Sequence, residues 1–113
     1  MGRVIRIPSA FVIDTKVVGV SQENSDGTSR QEIIRSSVQE NDPLVLAPEP
    51  DNPYDPNAVK VLNGQGQQIG YLPREVAGRV NFALDNAAEV VVKASWVSGA
   101  KMTGVGLRIE LAN

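Results

Sequence analysis

The chain turns between two short apolar segments through the stretch Glu49-Pro50-Asp51-Asn52-Pro53-Tyr54-Asp55-Pro56-Asn57-Ala58-Val59. Each proline holds its own φ near about −65° and drives the residue before it toward an extended conformation. The loop is therefore predicted to be stiff before anything binds. A stiff loop that carries an aromatic ring and a carboxylate is typical of a binding site, because little entropy is lost on contact. The alternative is a turn whose Asn and Asp side chains bond their own backbone.

The segments around this loop predict strands. Residues 44–46 precede it and residues 58–62 follow it. The stretch Asn63-Gly64-Gln65-Gly66 then turns the chain, and its Asn-Gly pair predicts a hairpin in which residues 68–72 form the second arm. Farther out, β-branched or alternating apolar residues predict strands over 11–20, 89–97 and 105–111. Trp96 is expected to lie in the core, and residues 1–10 are either a short strand or an ordered tail.

Two helices are predicted between these strands. The first opens at Ser29, where Glu32 completes a capping-box pattern, and ends near Asn41 because Asp42 precedes a proline. The second covers 73–86 and starts with a proline in its first turn. Apolar residues at helical spacing should face the core: Val76, Val80, Ala83, Leu84 and Ala87. The element order predicts a single α+β domain, mostly β, built as a small barrel. A ferredoxin-like sandwich fits less well because its helices are usually longer.

The composition limits the chemistry that the chain can perform. Its 113 residues include neither Cys nor His, which removes thiol catalysis, disulfides, thiolate zinc sites and the commonest general base. An enzyme is therefore not expected. The net charge of −2 disfavours a strongly basic, non-specific nucleic-acid binder but allows a local phosphate site. The acidic residues Glu49, Asp51 and Asp55 lack the spacing of a calcium loop, so neither metal nor cofactor is expected.

The sequence also carries no feature that predicts a membrane or an export route. No apolar window approaches about 18 residues, and no apolar run follows the charged first residues as a secretory signal would require. A cytoplasmic location is the default expectation.

Several motifs together resemble the HIRAN domain over roughly residues 11–111. They are Val17-Val18-Gly19-Val20, Arg30, Leu44-Val45-Leu46, the proline-rich stretch quoted above and Ile69-Gly70-Tyr71-Leu72-Pro73. The resemblance implies a modified OB-like antiparallel β-barrel of about six strands with two helices. It also implies capture of the 3′ end of single-stranded DNA, in DNA repair or at replication forks. Family members stand alone or are joined to helicases or nucleases, and this chain looks like a stand-alone bacterial form, with a helicase or nuclease as an expected partner.

The resemblance assigns roles to particular loop and strand residues. Tyr54 and Asp55 fall on the Tyr and Asp that bind the 3′ end, where a ring can stack on a base and a carboxylate can accept the terminal hydroxyl. Asn52 belongs to the same motif. Tyr71 stands where the DNA-binding members carry a His, so it can stack or donate without a charge. Its alternative role is that of a barrel aromatic with a hydrated hydroxyl.

Candidate phosphate contacts are Arg30, Arg74, Lys16 and Lys60, each of which can instead be a solvated surface charge. Ser21 and Gln22 stand where the DNA-binding members have an Arg and an aromatic residue, so a second stacking surface is not expected there. Two functions therefore remain open. One is a module that recognises a 3′ end, and the other is a protein-interaction module that has kept the fold and lost the DNA site.

Overall fold

The computed structural model describes residues 11–86 and 89–112, which form six strands and two helices. The elements are β1 (Phe11–Lys16), α1 (Arg30–Ser37), β2 (Pro43–Pro48), β3 (Val59–Leu62), β4 (Gln68–Tyr71), α2 (Arg74–Asp85), β5 (Glu89–Ser98) and β6 (Gly104–Ala112). The expectation for residues 1–10 lies outside this described part. Neither α1 nor α2 is long and apolar enough to cross a membrane.

All six strands belong to one antiparallel sheet with the order β1-β6-β5-β2-β3-β4. Just beyond β1, Val18 exchanges two backbone hydrogen bonds of 2.9 Å with Tyr71 at the end of β4. This bridge joins the two outer strands of the order, so the sheet curls into a half-barrel. The predicted mostly β, OB-like fold with two helices is thus confirmed.

Gly70 makes this closure possible. The residue faces the interior at the bridge, and a Cβ built on it would overlap both the side chain of Val17 and the carbonyl oxygen of Val18. Any side chain at this position would therefore push the β1 extension away from β4. The Gly of the Ile-Gly-Tyr-Leu-Pro motif is required by close backbone approach rather than by turn geometry.

The core lies inside the curled sheet and beneath the helices. Strand β6 alternates as predicted, with Val105, Leu107, Ile109 and Leu111 turned inward. Helix α1 contributes two isoleucines, and helix α2 contributes Val76, Ala77 and Val80. The prediction that Leu84 of α2 faces the core is wrong, because this residue is 36% exposed. The same prediction for Ala87 falls outside the described residues.

Helix α1 ends earlier than Pro43 alone would dictate. Its last residue is Ser37, and Val38 is already extended and buried, with its N–H bonded to the carbonyl of Ile34. The segment that follows pairs with β5, because Asn41 donates to the carbonyl of Ala94 and Asp42 accepts from the amide of the same residue. This tertiary pairing replaces the final helical turn that the sequence predicted.

The prediction that Trp96 lies in the core is wrong, since the residue is 42% exposed. Val92 and Ala94 point inward, and regular alternation would place Trp96 on the same side. A register shift between Ala94 and Trp96 inserts one residue into β5, which turns the indole to the outer face. The side chain therefore lies over the backbone of β6, where Gly104 and Gly106 leave room for it.

We expect Gly70→Ala to lower the free energy of unfolding by about 2 kcal/mol or more, because the methyl group overpacks the barrel closure. Urea denaturation measures this change. The matched control is Gly78→Ala on the exposed side of α2, where nothing lies within 4 Å of the added methyl group. That control should raise stability by about 0.5–1 kcal/mol. Equal effects of the two substitutions would contradict the role given to Gly70.

Candidate functional site

The proline-rich stretch forms a loop between β2 and β3 that is held by its own hydrogen bonds. Glu49 donates its amide to the carbonyl of Ala58 at 2.9 Å, which closes the base of the loop. Inside it, the Asn52 side-chain oxygen accepts from the amides of Tyr54 at 2.8 Å and Asp55 at 2.9 Å. The two residues at the tip are thus fixed by one amide group, as the turn chemistry of Asn predicts.

Tyr54 projects from this fixed backbone into solvent, with 89% of its surface exposed. An aromatic ring exposed to this extent contributes little to packing. Its backbone is nevertheless anchored through Asn52, so the ring is presented at a defined place. The arrangement suits a flat ligand that stacks on the ring, because the loop loses little freedom on binding.

Asp55 is held more firmly than Tyr54. Its Oδ1 accepts from the amide of Asn57 at 2.9 Å, and its Oδ2 lies 3.5 Å from Nε of Arg74 at the start of α2. The side chain of Asp55 is 20% exposed and that of Arg74 is 80% exposed. Part of the carboxylate therefore faces solvent, and the guanidinium keeps outward N–H groups beside it.

Glu49 connects the loop to the neighbouring strands. Its Oε1 accepts from Asn52 Nδ2 at 2.8 Å and from the Tyr71 hydroxyl at 2.9 Å, and its Oε2 lies 3.2 Å from Lys60 Nζ. The hydrogen bond from Asn52 is the main cause that lowers the pKa of Glu49, with smaller effects of Tyr71 and Lys60. One carboxylate therefore joins the loop, β3 and β4.

Tyr71 lies between Glu49 and Arg30. The guanidinium carbon of Arg30 is 5.5 Å from the centre of the tyrosine ring, a cation–π distance. Arg30 itself is buried, and it donates to the carbonyl of Gly19 at 2.9 Å and to Asn24 at 2.7 Å. These contacts hold the loop before α1 against the barrel. The guanidinium is consequently occupied within the protein.

The structure brings together most of the residues that the sequence singled out. A continuous set of contacts joins six of them through Glu49 and Asp55: Asn52, Tyr54, Asp55, Lys60, Tyr71 and Arg74. Arg30 contacts this set through the Tyr71 ring, and it approaches the ring from the buried interior of the protein. Lys16 lies at the end of β1, two residues before the bridge partner of Tyr71.

Sequence reasoning missed the organising role of Glu49. In the sequence it stands out only as one of three nearby acidic residues, with Asp51 and Asp55, that lack the spacing of a calcium loop. The only available signal was its position directly before Pro50, at the point where the loop leaves β2. Two of its three partners, Lys60 and Tyr71, lie on β3 and β4, so these two contacts depend on strand pairing. Among residues 11–86 and 89–112, no group of three or more Asp or Glu residues is placed to hold a metal ion.

A separate apolar groove of about 510 Å³ lies between α2 and the start of β1. Its lining includes Phe11 and Phe82, which are 69% and 71% exposed, together with Leu111. The groove contains none of the residues predicted for the site. The described part of the chain begins at Phe11, which is itself part of the lining, so the groove carries no assignment.

Glu49→Gln should destabilise the protein near neutral pH, because Lys60 loses its partner and the amide cannot match three donors. The folded state lowers the pKa of Glu49, so its contribution is present above the ordinary value of 4.5 and is lost as the pH falls through the lower folded value. Thermal unfolding from pH 7 to pH 3 should show the two proteins converging below about pH 4.5. Glu40→Gln, at an exposed position outside the network, is the control. A gap between wild type and Glu49→Gln that stays constant down to pH 3 would contradict the assignment.

Comparison with solved structures identifies domains of the same fold. The crystal structure of the HIRAN domain of human HLTF superposes with a TM-score of 0.68 at 28% identity, over 88% of this chain and 74% of that one. The NMR structure of the HLTF HIRAN domain in its DNA-bound conformation gives a TM-score of 0.62 at 28% identity, over 92% of this chain and 78% of that one.

Sequence comparison identifies relatives of the same kind. The helicase-like transcription factor of Mus musculus is 40% identical over an alignment of 65 residues that covers 53% of this chain and 6% of that protein. The chain thus matches only a small part of this curated relative. Residues 11–111 match the HIRAN domain, which is nearly the whole described chain. This match, together with the curled six-stranded sheet, shows that the chain belongs to the HIRAN domain family.

Proposed function

We propose that this domain binds single-stranded DNA and recognises its 3′ end at the loop that carries Tyr54 and Asp55. The observation that carries the proposal is the pairing of a fully presented ring with an anchored, partly exposed carboxylate on adjacent residues. A strand terminus offers a base face without a following neighbour and a free hydroxyl. The loop supplies one group for each.

Tyr54 provides the stacking surface. Stacking of a base on an aromatic side chain contributes about 1–3 kcal/mol and tolerates any base, because every base has a π-face. The ring is already held out by the backbone bonds of Asn52. Little rearrangement of the loop is therefore needed when a terminal base docks.

Asp55 distinguishes an end from a continuing strand. Its carboxylate can accept a hydrogen bond from a 3′-hydroxyl, which contributes roughly 1.5–3 kcal/mol when one partner is charged. A continuing strand or a terminal phosphate puts negative charge at that place, where the carboxylate disfavours it. The exposed guanidinium of Arg74, 3.5 Å from Asp55, is placed to take the preceding phosphate.

Affinity is expected to be modest. Of the four candidate phosphate contacts, Lys60 is paired with Glu49, Arg30 is buried, and Arg74 shares its charge with Asp55. Few of these four cations can displace counterions at full strength, and the chain carries a net charge of −2. We therefore expect dissociation constants of about micromolar or weaker and a shallow dependence on salt.

Membership of the HIRAN family and the likeness to a HIRAN domain in its DNA-bound conformation support nucleic-acid binding as the general function. The specificity for a 3′ end, a role in DNA repair or replication-fork processing, and a helicase or nuclease partner belong to the proposal. So do a bacterial, cytoplasmic setting and a binding role without catalysis.

A protein-interaction role is the second candidate. It is favoured by Ser21 and Gln22, which are exposed where DNA-binding members of the family were expected to carry an Arg and an aromatic residue. If the DNA site has been lost, Tyr54 remains an exposed aromatic anchor of the kind that protein interfaces use. The two candidates differ in whether oligonucleotides bind at all.

Two oligonucleotides of the same sequence, one ending in a 3′-hydroxyl and one in a 3′-phosphate, separate end recognition from general binding. Fluorescence anisotropy should show about tenfold tighter binding of the hydroxyl end, the effect of one charged hydrogen bond. Asp55→Asn keeps an oxygen for the amide of Asn57 but removes the charge, and it should abolish the preference. Equal affinity of both oligonucleotides for the wild type would exclude end recognition.

Tyr54→Ala should weaken binding of the hydroxyl oligonucleotide by about 1–3 kcal/mol, which is roughly fivefold to 150-fold. Because the ring is 89% exposed, the thermal midpoint should stay within about 1 °C of the wild type. Phe82→Ala removes another exposed ring, on α2, and should leave binding unchanged. A large loss of stability in Tyr54→Ala would instead assign the ring to packing.

A further inference from the structure

The outer face of the sheet carries a second exposed ring, Trp96, which the site described above does not use. Its indole lies flat on β6. A Cβ built on Gly106 would overlap the indole ring, and one built on Gly104 would come within 3.2 Å of it. The two glycines thus leave space for one face of the indole against β6. The opposite face is open to solvent and contributes to the 42% exposure of Trp96.

A structural irregularity puts the ring there. The register shift between Ala94 and Trp96 turns the side chain outward, where regular alternation would bury it. A large apolar ring that is moved from the core to the surface loses the burial that otherwise makes it favourable. Bulges of this kind commonly re-aim a side chain near a functional site. The combination of a bulge and two glycines is therefore more specific than a chance exposed residue.

The ring is continuous with the candidate site across the sheet. Gly106 pairs with Trp96 on one side and with Lys16 on the other, so the side chains of both flank the same glycine on the same face. Two residues beyond Lys16, Val18 bridges Tyr71. The outer face therefore runs from Tyr71 past Val18 and Lys16 to Trp96 without leaving the sheet.

The separation suits a strand of nucleic acid. From the spacing of strands and of residues along a strand, Tyr71 and Trp96 lie roughly 15 Å apart along the surface. An OB-type fold contacts about 4–16 nucleotides of single strand, which is long enough to cover this path. Lys16 is exposed between the two rings. An ion pair of 3.8 Å between Asp14 and Arg108 occupies the next position along the same face.

We propose that Trp96, with Lys16 beside it, is a second stacking surface for the single strand that leaves the Tyr54–Asp55 loop in the 5′ direction. The inference rests on the proposed function, since it places the 3′ end at that loop. An indole offers a stacking face and Lys16 offers a charge to the adjacent phosphate. The surface replaces the aromatic residue that is absent from the loop at Ser21 and Gln22 with a ring supplied by β5.

The single Trp of the chain makes a direct test possible. Oligonucleotides with a 3′-hydroxyl and lengths of about 2 nucleotides, too short to reach Trp96, and about 12 nucleotides are titrated while tryptophan emission is recorded. The longer one should quench the emission of Trp96 and the shorter one should not. Unchanged emission with the longer oligonucleotide at saturation, as judged by anisotropy, would overturn the inference.

Substitution gives an independent measure. Trp96→Leu should weaken binding of the longer oligonucleotide by about fivefold or more and leave the shorter one unchanged. Trp96→Phe keeps an aromatic ring and should recover most of the affinity. If Trp96 had a purely structural role, the affinity would not depend on whether residue 96 is aromatic. Phe82→Leu, on α2, is the matched control. Thermal midpoints of all three variants are measured in parallel, and equal weakening of both lengths by Trp96→Leu would contradict the proposal.

The outcomes separate this inference from the proposed function. A preserved preference for the 3′-hydroxyl with no effect of Trp96→Leu overturns the second stacking surface and leaves end recognition standing. Quenching of Trp96 without any preference for the hydroxyl end upholds a strand-binding face and overturns end recognition. Failure of every oligonucleotide to bind overturns both and favours a protein partner.

Discussion

The exchange of two hydrogen bonds between Val18 and Tyr71 is the constraint on which the rest of the molecule depends. It joins the ends of a six-stranded order whose members would otherwise form an open, twisted sheet. The same contact fixes Tyr71 on the outer face, where it meets the carboxylate of Glu49. Closure of the barrel therefore also positions Tyr71 in the site, and this closure depends on the absence of a side chain at Gly70.

Glu49 shows how a negative charge can serve a surface proposed to bind a polyanion. Its carboxylate is satisfied by Asn52, Tyr71 and Lys60, so much of its charge is compensated locally. At the ionic strength of a cell, such a compensated pair has little effect beyond about 8 Å. Because Lys60 is paired with Glu49, its charge is less available to attract a phosphate. Geometry at the tip of the loop is thus obtained at the expense of general attraction for phosphate.

Two aromatic rings are exposed by specific backbone devices rather than by chance. Tyr54 stands on a loop stiffened by prolines and by the side chain of Asn52. Trp96 is turned outward by a bulge and accommodated by two glycines. Burial of a ring of this size would favour folding by about 1.5–3 kcal/mol. Retaining both rings at the surface therefore gives up stability, which the proposed binding roles would explain.

The element order, the stiff loop and the Asn-Gly hairpin can be predicted from the sequence alone, because these follow from local dihedral preferences and apolar spacing. The sequence also indicates that Tyr54 and Asp55 lie side by side, since the positions of adjacent residues on a rigid loop follow from the loop itself. Four features follow only from the tertiary structure: the closure at Gly70, the contacts of Glu49 with Lys60 and Tyr71, the early end of α1 and the outward turn of Trp96. Each of these depends on which strand lies beside which, and at what register. A register shift of one residue reverses the face of every side chain that follows it, and no local pattern in the sequence of β5 predicts the shift between Ala94 and Trp96.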